Sequence, residues 1–443
     1  MNTRNQKRTQ ATTNGTPPIP QTQDDWTRLC NHLPLDLEAT AYATQALQRK
    51  RHIQSAHDLL RLVLAYSLCD YSLRQLGAWA HLIGLGTLSD VALYRRLCRT
   101  KTWLGAIVGS YLHKHQPPRP ERAVSVRLID ATVVRTPGSQ RTHRRLHLQY
   151  DLATGRLVGL ELTDQQGRET LTRHTVPPEA LLVADRGYAH REALGALMAT
   201  QTAFVVRTNG HNLPLVTADG KRFDWVGWLQ ACQDTLTETQ VWLETPTGRW
   251  AVRWIAYRLP EPKASQARRR AYCASRRQGH TPNQATLVMA GFVVVVTNLP
   301  AGAWSAEQIA DLYRLRWQIE VVFKRLKGVV GLEQVRAKAS PLVEVYLLGK
   351  LVGGLLLEGW AAELAGRVGL DWFGCGVRPV SLWRWQGLWW EVLCSVVRGR
   401  WEVAVVLEAL EDLERYLRDG LRGRVQQAAL ARVWLRELGE LRS

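Results

Sequence analysis

Four side chains suited to phosphate chemistry fall at helical spacing in the segment DLYRLRWQIEVVFKRLKGVV, residues 311–330: Tyr313, Arg316, Glu320 and Lys327. At about 100° per residue with Tyr313 at zero, Arg316 lies at about 300°, Glu320 at about 340° and Lys327 at about 320°. All four therefore share one narrow face over four turns. Leu315, Ile319, Val322, Phe323, Leu326 and Val330 form the adjoining apolar stripe. An Arg–Glu pair at i,i+4 on a solvated helix is worth only a few tenths of a kcal/mol, roughly, and would need no further explanation. The row, however, borders the buried stripe instead of opposing it, and it mixes one carboxylate with two cations and a phenol. A carboxylate can hold a hard cation while Arg and Lys hold phosphates, which is what metal-dependent phosphodiester chemistry requires.

Two further acids accompany apolar runs. Asp130 lies within Val124–Val134, and Asp185 follows Leu181–Ala184. Carboxylates without a Cys or His cluster beside them favour Mg²⁺ or Mn²⁺ over zinc.

The elements that must position these residues can be read more coarsely. After the break Pro117-Pro118-Arg119-Pro120, residues 118–215 take on strand character. Leu146–Tyr150 and Leu157–Leu162 flank a turn at Asp151–Gly155 and predict a hairpin, and Ala203–Val206 is a further strand. Strands ending on aspartates predict a mixed α/β sheet with its site at the carboxyl ends of strands. Residues 210–300 read as a strand-rich insertion, with Gln240–Leu243, Arg249–Leu259 and Thr286–Thr297 as strands and Lys263–Arg277 as a basic, mobile loop. Residues 304–358 return to helix, and the Trp-rich remainder, 361–443, reads as helical.

Residues 26–117 form a helical N-terminal unit. Ser72 and Ser89 are the expected N-caps of two helices separated by the turn Gly84-Leu-Gly86, the second carrying Arg95 and Arg96 with Arg99 just beyond. This order fits a helix-turn-helix DNA reader and equally a plain helical bundle with solvated arginines. Lys plus Arg number 58 against 39 Asp plus Glu, a net charge of +19, which favours a polyanionic partner such as nucleic acid. Seven scattered cysteines predict reduced thiols. The first 25 residues predict a disordered tail without a secretory signal. The longest apolar stretch, around Leu347–Leu357, is interrupted by Lys350 and falls short of the roughly 20 residues of a membrane span. The expectation is a soluble cytoplasmic protein associated with the nucleoid, with no membrane partner.

The spacing Tyr313-x2-Arg316-x3-Glu320-x6-Lys327 resembles the Y-x2-R-x3-E-x6-K signature of the bacterial insertion-sequence family four transposases. Asp130-Ala-Thr and Asp185-Arg-Gly-Tyr188 resemble the two aspartate motifs of that family. The segment Arg145–Asp164 with Gly167 and Glu169, the block Val296-Thr-Asn-Leu299 and the stretch Leu59–Trp79 extend the similarity to roughly residues 35–360. The resemblance implies an RNase H-like catalytic domain over 118–360, interrupted by the β-rich insertion. Asp130, Asp185 and Glu320 would hold two Mg²⁺ ions, and Tyr313, Arg316 and Lys327 would grip DNA phosphates. It further implies a homodimer on paired ends of double-stranded DNA, hydrolysis at terminal inverted repeats, and attack of the freed 3′-OH on target DNA. In related enzymes a hairpin step stacks a flipped base on a Trp of the insertion, and Trp225, Trp228, Trp242, Trp250 and Trp254 are the candidates here. Glu169 would support the site, and Arg207 could contact DNA or solvent. His143 and His147 read as structural, and Asp151 and Asp164 as turn formers. Two other functions use the same residues: an RNase H-like nuclease or resolvase without strand transfer, and a non-catalytic DNA-binding derivative.

Overall fold

The structure, a computed structural model, describes residues 23–418 apart from 35, 51, 115–123, 136, 138–142, 368–379 and 401–402, together with 433–435 and 437. The tail expected to be disordered lies, up to residue 22, outside the described residues.

Six helices come first: α1 (Gln23–Cys30), α2 (Leu37–Ala43), α3 (Ala56–Leu68), α4 (Leu73–Leu82), α5 (Asp90–Arg99) and α6 (Lys101–Lys114). Ser72 closes a capping box with Gln75 and Ser89 accepts from the Ala92 amide, so both expected caps form. Strands β1 (Val126–Arg135), β2 (His143–Asp151), β3 (Arg156–Thr163), β4 (Leu181–Ala184) and β5 (Ala203–Thr208) follow, with α7 (Arg191–Ala199) between the last two. Next come β6 (Leu215–Val216), α8 (Trp225–Ala231), β7 (Leu236–Thr245), β8 (Gly248–Arg258), α9 (Glu261–Arg277), α10 (Gln284–Ala290) and β9 (Phe292–Thr297). The chain then turns helical through α11 (Ala306–Leu315), α12 (Trp317–Gly328), α13 (Ser340–Arg367), α14 (Leu382–Arg398), α15 (Val403–Glu408) and α16 (Leu410–Leu417).

All nine strands join one sheet in the order β3-β2-β1-β4-β5-β9-β8-β7-β6. Only the β1–β4 and β4–β5 pairings are parallel; the remaining pairings are antiparallel. Alternation along the strands divides the core into two layers. Leu128, Val183, Val205, Ile255 and Val295 face one cluster of buried residues, whereas Ile129, Leu182, Phe204, Trp254 and Val296 face the other. The first cluster unites the sheet with α3, α6, α12, α13 and α14, so N-terminal and C-terminal helices share a single core. Arg61 of α3 donates to the carbonyls of Val396 and Val397, and Trp79 Nε1 donates to that of Arg398.

Three expectations change. Lys263–Arg277 is not a loop but most of α9: alanine and arginine are strong helix formers, Pro262 sits in the first turn, and Gly279 ends the segment at φ 79. The first half of Thr286–Thr297 belongs to α10, because Asn283 caps it through the Thr286 amide, and the strand begins only after Gly291. The apolar stretch near Leu347 belongs to a helix of 28 residues. Its segment Ser340–Gly366 is long and apolar enough to cross a membrane, yet its most apolar window is 83 % buried inside the fold. Its apolarity serves the core.

Candidate active site

The parallel register sets the two aspartates side by side. Ile129 is level with Ala184 in the β1–β4 ladder, which ends there, so Asp130 and Asp185 are the next residues on each strand. Beyond Ala184 the chain leaves β4 and makes a 3₁₀ turn over Arg186–Tyr188. The Asp130 side chain is 20 % exposed.

The expected single helix over residues 311–330 is divided. Arg316 lies between α11 and α12 at φ −50 and ψ −30, and its amide bonds to the Tyr313 carbonyl in a tightened turn. The backbone stays helical enough that Tyr313, Arg316 and Glu320 keep a common face, and this face meets the aspartates. Tyr313 donates its hydroxyl to Asp185 Oδ1 at 3.1 Å. Arg316 donates through Nη1 to Asp130 Oδ2 at 3.3 Å and through Nη2 to Glu320 Oε1 at 2.6 Å. All three predicted carboxylates are thus drawn together by one guanidinium and one phenol. Arg207 adds a cation 3.9 Å from Asp185 Oδ1. Lys327 alone stands apart: it pairs with Glu333 at 2.6 Å and touches none of the three acids.

The electrostatics of the aspartates diverge. Burial pushes the Asp130 carboxyl up to about 6, only partly offset by the Ala131 amide and Arg316, and the charges of Asp185 and Glu169 add to the rise. Burial acts on Asp185 too, but Arg316, the Arg186 amide, Arg207 and the Tyr313 hydroxyl together hold it below the ordinary carboxylate range. Asp130 therefore lacks full counter-charge, although Arg316 is within reach. A hard cation would supply it, and three carboxylates are the oxygen donors such an ion takes. The residues fit a hard divalent cation. Among the described residues no three His, Cys, Asp or Glu side chains form a ready-made cage; Arg316 is interleaved with the acids instead.

Several residues around this centre carry weaker sequence signals. The Glu169 carboxylate lies where a Cβ on Gly187 would collide with it, so only glycine lets it approach the turn after Asp185. Glu169 also stands 3.9 Å from Arg145. His147 is buried and shares a contact with Thr163 Oγ1 at 3.1 Å, and burial pushes its imidazole down to about 4. His174, which no spacing singles out, lies between His147 and Tyr188, with ring centroids 6.4 Å from each. His143 opens β2, and its side chain lies outside the described residues. Asp151 caps its turn through Thr154 and pairs with buried Arg127, and Asp164 accepts from the Gln166 amide, so both act as turn formers.

Beside Tyr313 and Arg316 opens a cavity of about 540 Å³, with Ile255, Tyr257, Lys263, Arg314 and Trp317 among its walls. None of the five insertion tryptophans lines it. Trp254 and Trp225 are buried in the second apolar cluster, Trp242 lies under Arg249, and Trp250 donates to Thr247 in the β7–β8 turn. The tryptophan at the cavity is Trp317, from the helix that carries Glu320.

Comparison with known proteins places the chain in a family. The family model described as the transposase DDE domain matches residues 122–352, from the first strand to the middle of α13. The chain is 36 % identical over 345 residues to the putative transposase InsL of insertion sequence element IS186A from Escherichia coli K12, covering 76 % of this chain and 93 % of that relative. It is 36 % identical over 346 residues to the transposase of IS421 from Escherichia coli, with the same coverage. It is 24 % identical over 367 residues to the transposase of IS231E from Bacillus thuringiensis subsp. finitimus, covering 73 % of this chain and 77 % of that relative. A match over half the chain to the family model, joined to close relatives aligned over most of its length, means that the chain belongs to the DDE transposase family.

Proposed function

We propose that this chain is the transposase of a family-four insertion sequence, which binds terminal inverted repeats, hydrolyses a strand at each and joins the exposed 3′-OH to target DNA. The observation that carries the reading is the position of Arg316, which reaches Asp130 and Glu320 at once while Tyr313 reaches Asp185. A solvated helix face would leave these groups without partners on the sheet.

Asp130, Asp185 and Glu320 would hold two Mg²⁺ or Mn²⁺ ions, whose Lewis acidity serves both the attacking and the leaving oxygen of an in-line displacement. Arg316 fixes the orientation of Asp130 and Glu320 and offers its remaining N–H groups to the scissile phosphate. Tyr313 aligns Asp185, and Lys327, about two turns along α12, exchanges Glu333 for a phosphate farther along the strand. In the first step a water oxygen bonds to phosphorus and the 3′ oxygen leaves; in the second that 3′ oxygen attacks a target phosphodiester and displaces the target's own 3′ oxygen. Two copies would act on paired ends, in the cytoplasm at the nucleoid.

Glu320→Gln tests this directly. Cleavage of a terminal-repeat duplex in Mg²⁺ should be abolished while the gel shift of that duplex persists. Undiminished cleavage by the variant would refute the assignment of Glu320 and, with it, the site.

A further inference from the structure

Helix α9 is the most basic helix among the described residues, and of it only Lys263 enters the cavity described above. Of its 17 residues only Ala264 and Ser275 are buried. At about 100° per residue these two share one side of the helix with Ala267, Arg268 and Ala271, which are half-buried. Lys263, Arg270 and Arg277 fall in a row on the opposite half, at intervals of seven, and Arg269 and Arg276 form a second row about 100° away. All five are exposed, and among the described residues none has an acidic partner. The helix holds a single acid, Glu261, which is already engaged by Arg268 at 2.9 Å and by Ser265. The helix dipole accounts for Arg276 and Arg277 in the last turn but disfavours Lys263 in the first and is indifferent to Arg269 and Arg270.

Placement gives these rows a use. Leu259 and Pro260, just before α9, and Lys263 in its first turn line the 540 Å³ cavity that Tyr313 and Arg316 also line. The row that opens at Lys263 therefore begins at the cavity beside Tyr313 and Arg316. At about 1.5 Å per residue the helix extends about 25 Å, the length of about seven base pairs.

We infer that α9 is a rail for the phosphates of double-stranded DNA flanking the scissile bond. The inference rests on the transposase reading, because it needs DNA in the groove at Arg316. Charge without base-edge partners at fixed depth implies backbone contact, so the rail holds duplex of any sequence.

The test replaces Arg269, Arg270, Arg276 and Arg277 together with Gln and measures duplex binding against salt, with thermal melting to confirm that the fold is kept. On a duplex extending well past the cleavage point, the slope of log K against log[salt] should be shallower by about 3–4 than in the wild type, at about 0.9 per phosphate released. Replacement of the same four by Lys should restore the slope. On a duplex trimmed to a few base pairs beyond the cleavage point, wild type and Gln variant should bind alike. An unchanged slope on the long duplex, with wild-type cleavage intact, would overturn the rail and leave the transposase reading standing. So would a Gln variant that loses binding to anionic vesicles and none to duplex. A wild type that neither binds nor cleaves a duplex overturns both.

Discussion

Arg316 is the residue on which the site turns. Its side chain is 13 % exposed and serves two carboxylates that are themselves only 20 % and 29 % exposed. A surface i,i+4 pair contributes a few tenths of a kcal/mol, roughly, but removing a partner from a buried pair costs about 3–5 kcal/mol, because the remaining charge is left uncompensated. The truncation Arg316→Gln should therefore lower the melting temperature in EDTA, and millimolar Mg²⁺ should recover part of the loss by neutralising the same acids. Cleavage by this variant should fall on the order of 100-fold or more, and Arg316→Lys should rescue little, since an ammonium lacks the planar fork that spans two carboxylates. Full activity in the Lys variant would show that charge alone suffices. Asp130 makes a pH prediction at the same scale. Its folded carboxyl is raised from 3.8 to about 6, so the folded protein binds the proton more tightly than the unfolded chain does. Metal-free stability contributed by this group is present below about 4 and is lost as pH rises towards 6. Denaturant titrations in EDTA across that window should show the wild type declining relative to Asp130→Asn; parallel curves would mean that Asp130 is not held as described.

At the scale of elements, the site is the meeting of one parallel ladder, one 3₁₀ turn and one divided helix. The turn depends on Gly187, where an added Cβ would strike the Glu169 carboxylate. Since that carboxylate is the far end of a flexible side chain, Gly187→Ala should cost stability only modestly, about 1 kcal/mol, while displacing Glu169 from the neighbourhood of Asp130. Kinetics of the single variants Gly187→Ala and Glu169→Ala and of the double variant make the check. If both act through Glu169, the double variant should cleave no more slowly than Glu169→Ala alone, whereas additive losses would indicate separate effects. Element boundaries are the least legible part of the sequence. The Arg-rich segment 263–277 reads as a loop when charge is weighed above helix propensity, and Thr286 reads as strand when the Asn283 cap is left out of account. The break at Arg316 carries no Gly or Pro, so no local signal marks it.

At the scale of the whole molecule, one core joins elements that are distant in the chain. Trp389 of α14 is fully buried, with ring centroids 5.3 Å from Trp360 and 5.4 Å from Trp385, and α14 packs on both α3 and α13. Trp389→Ala should cost about 3–5 kcal/mol. The loss should appear as a single transition in which the N-terminal helices melt together with the C-terminal ones, read by hydrogen exchange in α3; full protection of α3 would show that the two ends fold separately. The helical spacing of Tyr313, Arg316 and Glu320 was legible in the sequence alone, because a helix brings residues three, four and seven apart onto one face. So were the alternating strands, whose two-residue period reports a buried sheet. It took the tertiary structure to show that Arg316 and Tyr313 bind the acids while Lys327 turns to Glu333, that Trp317 lines the cavity beside them, and that Lys263 of α9 lines it too. These are relations between elements far apart in sequence. Register, crossing and packing set them, and no local spacing encodes where two elements meet.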